Sequence, residues 1–115
     1  MTESDLVTVL GAFVGNRVFP DTADLGTPLP YIIYQQVGGQ AFSYLGSEVT
    51  DKKPARIQIR LWSETRAQAM TTIRQIENAL VSAPLHGMPL GAAIATYDEN
   101  AKLRGALQDF SFWIT

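Results

Sequence analysis

Hydrophobic spacing changes period midway through the stretch from Ala55 to Met70. Ala55, Ile57, Ile59 and Leu61 alternate with Arg56, Gln58, Arg60 and Trp62. Alternation at period two is the mark of a strand with one buried and one wet face. Beyond Ser63 the apolar positions move to helical spacing, at Ala69, Met70, Ile73, Ile76, Leu80 and Ala83, while Arg66, Arg74, Gln75 and Asn78 fall largely off the stripe. The pattern predicts a strand over Ala55 to Trp62 and a helix from about Glu64 to Ser82, with Ser63 as N-cap and Pro84 as its stop. The turn between them is so short that the helix must fold straight back onto the sheet. Leu6, Val9, Leu10, Phe13 and Val14 give a second helical stripe. It predicts a helix over 3–15, capped by Thr2 or Ser4 and closed by Gly15-Asn16.

The remaining elements are strands. Tyr31 to Val37 is rich in β-branched and aromatic residues. Gly38-Gly39 is a turn or bulge, and Gln40 to Leu45 is a candidate partner in a hairpin. Ala92 to Tyr97 and Ala106 to Ile114 are two further strands, joined through Asp98-Glu99-Asn100. On the last of them Phe110, Phe112 and Ile114 share one face, opposed by Asp109, Ser111 and Trp113. Three prolines between Val18 and Pro30 predict a loop. Leu85 to Leu90 is a short irregular segment, and Gly46 to Lys53 is polar. The order helix, strands, helix, strands predicts an α+β fold: an antiparallel sheet of four to five strands with two helices packed on one face.

At 115 residues the chain suits a single domain over 1–115 with one core. It holds no apolar run of about 18 residues, so no membrane span is expected. Its acidic start, Met-Thr-Glu-Ser-Asp, lacks the basic opening of a secretory signal. With no cysteine, disulfides, thiolate catalysis and cysteine metal sites are excluded, and a reducing cytoplasm fits. The net charge of −2 argues against nucleic acid as a direct ligand, because phosphate neutralisation needs a basic excess. Lys52-Lys53, with Arg56 and Arg60 nearby, is a local basic cluster better read as a solvated loop and strand face than as a phosphate site.

Chemistry-bearing constellations are hard to find. The lone histidine, His86, sits in a turn-like segment, and no spacing supports Ser82 or Asp109 as triad partners for it. Asp98, Glu99 and Asp109 have no metal-ligand spacing, and Asp98-Glu99-Asn100 reads as a hairpin turn. Gly38-Gly39 lacks the lysine and hydroxyl of a phosphate loop. No cofactor and no catalytic set are expected, and the chain points to an interaction or assembly protein rather than an enzyme.

The wet face supplies the interface candidates. Trp62 and Trp113 lie on it, with Tyr31 or Tyr34 near them. Either they form a contact surface, or they pack under the long 18–30 loop. The 46–53 loop, with Gly46, Lys52 and Lys53, either orders on assembly or is a mobile hairpin tip.

Four segments then carry a resemblance: Val18-Phe19-Pro20-Asp21, Leu29-Pro30-Tyr31-Ile32-Ile33-Tyr34-Gln35, Arg56-Ile57-Gln58-Ile59-Arg60-Leu61-Trp62 and Asp109-Phe110-Ser111-Phe112-Trp113. Over nearly its whole length the chain resembles the tail-completion or head–tail joining proteins of long-tailed phages and prophages. The resemblance implies a virion protein at the head–tail junction, made in the cytoplasm of a host bacterium. It implies a ring of identical copies, typically six, that contacts the tail tube and the head–tail connector proteins. It implies no enzymatic activity, and Pro30, Trp62 and Trp113 become structural or interface positions. The competing reading is a small bacterial α+β binding or regulatory domain.

Overall fold

The computed structural model describes residues 2–24, 26–39, 53–82 and 84–114. Helix α1 spans Glu3–Val14 and opens on a capping box. The Thr2 hydroxyl accepts from the Asp5 amide at 3.3 Å, and the Asp5 carboxylate accepts from the Thr2 amide at 2.8 Å. Those hydrogen bonds hold the Asp5 carboxyl below its ordinary range. The helix ends at Gly15 in a left-handed conformation, φ 58°, which glycine adopts without the Cβ penalty.

The strands are β1 (Val18–Pro20), β2 (Tyr31–Gly39), β3 (Lys53–Ser63), β4 (Met88–Pro89), β5 (Ile94–Asp98) and β6 (Leu103–Ile114). Helix α2, Arg66–Val81, lies between β3 and β4. Sheet order is β1-β2-β3-β6, with β4 and β5 both on the outer edge of β6. The class is α+β, as the spacing predicts. The sheet differs in detail: among the described residues it has six strands and is mixed, because β1 runs parallel to β2 while every other pair is antiparallel. The predicted strand over 40–45 lies outside the described residues.

Part of the predicted 18–30 loop is therefore strand β1. A parallel pair cannot be closed by a tight hairpin and needs a crossover. The described residues 21–24 and 26–30 of that crossover pass over the sheet face opposite the helices, where Thr22, Asp24 and Thr27 border the same crevice as Tyr31, Arg60 and Trp62. Arg17 holds its far end, donating from Nε to the Pro30 carbonyl at 2.9 Å. The Leu29–Pro30 peptide bond is cis.

Both helices lie on one face and share one core. Leu6, Leu10 and Val14 of α1 and Ala69, Ile73, Ile76 and Leu80 of α2 are buried with Ile57, Ile59, Leu61, Ala106, Phe110 and Phe112. Among these, Phe110 and Phe112 stack with ring centroids 6.0 Å apart. The helix α2 cap is Thr65, whose hydroxyl accepts from the Gln68 amide at 3.1 Å. Ser63, the predicted cap, is the last residue of β3 and pairs with Arg104. One buried polar side chain crosses the layers. Gln108 points to the helix side, and its amide donates to Glu77 Oε1 at 2.7 Å and to the Gly91 carbonyl at 2.9 Å. That pairing offsets the cost of burying an amide, and it ties α2 and the 90–93 connection to β6.

Candidate interaction face

The face away from the helices is built by the outward positions of each strand. Tyr31 and Ile33 of β2 stand beside Trp62 and Arg60 of β3. Gly105, Asp109 and Trp113 of β6 stand beside Trp62, Gln58 and Pro54 of β3. Ile94 and Met88, at the outer edge, pair with Leu107 and Ser111. Among the described residues no helix covers this face.

The two tryptophans share the face but not the environment. Trp62 is 9% exposed and Trp113 is 55% exposed. Trp62 pairs with Gly105, and Trp113 lies eight residues further along β6, a separation of about 27 Å at about 3.4 Å per residue. Of the two readings open in the sequence, Trp62 follows the one in which the 18–30 segment packs over it, and Trp113 stays open to solvent. The reason is the crossover, which covers only the Trp62 end.

At the covered end, Tyr31 is half-buried and meets Phe19 edge to face at 6.4 Å. Burial and the nearby Asp98 charge push its hydroxyl pKa upwards. A crevice of about 480 Å³ opens there, bordered by Tyr31, Ile33, Arg60, Trp62 and Leu103 and by the crossover. The Arg60 Nε is buried with no hydrogen-bond partner, and its remaining contact is a 3.4 Å approach of Nη2 to Gln58 Oε1.

Towards the open end, Met88 (63% exposed) joins Trp113 as a large apolar side chain in solvent, while Ile94 (59% exposed) stands on the outer edge of β6 level with Leu107 and Arg60, with Leu90 also exposed on that edge. Between the two ends, Arg56 grips Asp109 through Nε at 2.8 Å and Nη2 at 2.6 Å, both on Oδ2. One of the two arginines of the predicted basic cluster is thus neutralised within the face. Lys53 starts β3 opposite Ile114. Gly46 and Lys52 lie outside the described residues.

The structure brings no reaction centre together from the residues considered in the sequence. His86 is exposed on a left-handed backbone, φ 50°. The Ser82 hydroxyl donates to the Asn78 carbonyl at 2.7 Å, and Asp109 is held by Arg56. Asp98 closes the β5–β6 turn, its Oδ1 accepting from the amides of Asn100 at 3.0 Å and Ala101 at 3.2 Å. Among the described residues no group of three or more acidic or histidine side chains could hold a metal ion, and no helix is long and apolar enough to cross a membrane. Sequence reasoning missed the exposed apolar edge. Met88 and Ile94 sit in stretches without a clear period, and only their pairing with β6 turns them onto this face.

The fold is thus a small mixed α+β sheet with both helices on one side. Residues 3–115 match the family described as "Tail completion protein gp17", and the chain belongs to that family. Its fold is similar to a protein in the virion of a native gene transfer agent particle, with a TM-score of 0.58 and 21% identity over 92% of this chain and 84% of that one. It is also similar to the bacteriophage SPP1 gp17 protein, with a TM-score of 0.54 and 16% identity over 98% of this chain and 88% of that one. None of the curated proteins compared with the chain matches it.

Proposed function

We propose that the chain is a structural virion protein that completes or terminates a phage tail at the head–tail junction, acting through contacts and without turnover. The match of residues 3–115 to the tail completion family carries this reading. The open face is consistent with it, because an assembly protein at a junction must present more than one surface, and this face has two ends about 27 Å apart.

In this proposal, identical copies close into a ring, six in the family pattern, by a heterologous contact that repeats through rotation. The ring would sit between the tail tube and the connector proteins of the head. Assembly would take place in the cytoplasm of the bacterial host. The exposed apolar edge with Met88 and Ile94, together with Trp113 at the open end, is the candidate for copy-to-copy contact, since burying exposed apolar side chains is the main favourable term in association. The outer edges of β4 and β5 supply unpaired backbone groups at the same place. Residues 46–53, including Gly46, Lys52 and Lys53, are a second candidate for contact within the ring.

Deleting the gene from an inducible prophage and examining the lysate by electron microscopy tests the proposal. Separate heads and tails, or tails of uncontrolled length, are expected. Intact infectious particles would overturn it.

A further inference from the structure

The covered end of the open face holds a feature that a closed loop packing would not leave behind. The Arg60 guanidinium lies in a crevice of about 480 Å³, a volume in the range of ligand sites at about 300–1,000 Å³. Its Nε is out of water and unpartnered, and a buried donor without an acceptor is costly. Among the described residues Arg60 makes no ion pair, whereas Arg56, two positions along the same face, is paired with Asp109. Arg60 is the one cation among the described residues that border the crevice. The walls on either side are apolar: Tyr31, Ile33, Trp62 and Leu103.

We propose that this crevice receives an extended segment of a neighbouring virion protein that bears a single carboxylate among apolar residues, the carboxylate accepting from Arg60. The proposal rests on the assembly role argued above. The unpaired Arg60 selects the carboxylate locally, since a guanidinium pairs with it in a planar, charge-assisted geometry. The rim restricts what may flank it. Asp24 and Asp98 also border the crevice, so an acidic run is repelled, while neutral or basic flanks are accepted. Apolar neighbours of the carboxylate fill the space between Trp62 and Leu103. A second copy of this chain is the less suitable occupant, because its exposed Trp113 and Met88 lie towards the opposite end of the face, and only Ile94, through Leu107, is level with Arg60.

Two capped pentapeptides test this on the intact protein: leucine-leucine-aspartate-leucine-lysine, and the same peptide with asparagine for aspartate. A Trp113→Phe background leaves Trp62 as the fluorescent reporter. The aspartate peptide should bind about tenfold more tightly than the asparagine peptide, as hydrogen bonds to charged groups are the stronger kind. Arg60→Gln should abolish the difference, and Arg60→Lys should keep part of it, with thermal melting checking that both variants fold. Absence of saturable binding, equal affinity for the two peptides, or discrimination that survives in a folded Arg60→Gln protein would each overturn the proposal. So would dimers of the free protein that Arg60→Gln disperses, which would assign the crevice to a second copy. These outcomes are separate from the prophage deletion, whose phenotype does not depend on the crevice.

Discussion

The Tyr34 hydroxyl on β2 donates to Glu3 Oε1 in the first turn of α1 at 2.6 Å. The contact joins residues 31 positions apart, and it fixes the start of the helix against the sheet. Burial, then the Glu3 hydrogen bond, then the charges of Glu3 and Asp21 push the Tyr34 pKa from 10.0 to about 12.

The pH dependence follows from the sign of that shift. Unfolding releases Tyr34 to its ordinary value, so the unfolded chain ionises first as pH rises. The stabilisation is fully present below pH 10 and is lost progressively between pH 10 and about 12. Tyr34→Phe removes this source of alkaline sensitivity. Chemical denaturation between pH 9 and 12 should show a shallower loss of stability in the variant, with some slope left from Tyr31, whose pKa is also raised. Identical slopes in the two proteins would contradict the argument.

The long, strongly periodic elements were legible in the residues. In β3, Ile57, Ile59 and Leu61 face the core as their alternation requires, and Ile73, Ile76 and Leu80 of α2 do so at helical spacing. Three-residue β1 and two-residue β4 were not legible, because so few positions carry no period and each holds a proline. They exist through pairing with β2 and β6, which is tertiary information. The same holds for the candidate face. Alternation places Trp62 on the outer side of β3, but its cover comes from a crossover that only the parallel β1–β2 pair demands. Gly46 and Lys52, named as interface candidates, remain a proposal.

Ile73 lies at the centre of the α2 stripe and is fully buried. Ile73→Ala should destabilise the fold by about 2–5 kcal/mol, the sum of lost transfer energy and the cavity left behind. Urea titration gives the difference directly. A near-neutral result would contradict the packing of α2 on the sheet.

Gly105 is opposite Trp62 in the β3–β6 ladder. A Cβ there would lie 2.5 Å from the Leu61 carbonyl oxygen and 2.7 Å from the Trp62 ring. Backbone cannot yield as a flexible side chain can, so Gly105→Ala should cost about 1–3 kcal/mol. It should also shift the Trp62 emission, measured with Trp113 replaced by phenylalanine, as the ring is pushed into the crevice. Unchanged stability and emission would show that the ladder relaxes at this point.

The exposed apolar edge separates folding from assembly. Met88 and Ile94 contribute large exposed side chains on the outer edge of β6, and the core cluster contains neither. Threonine at both positions keeps a strand-compatible residue and removes most of the apolar surface. Surface substitutions of this kind usually stay within about 0.5 kcal/mol, so Met88→Thr/Ile94→Thr should melt close to the parent protein. Returned to the deletion prophage, the double variant should nevertheless yield few joined particles, because the contact that closes the ring loses its buried area. A parallel variant on an exposed helix position, Arg74→Gln, should restore full yield, since α2 presents that side chain away from the sheet. Particle counts by electron microscopy and plaque titres report the two outcomes side by side. Full rescue by the double variant would move the copy-to-copy contact away from this edge of the sheet.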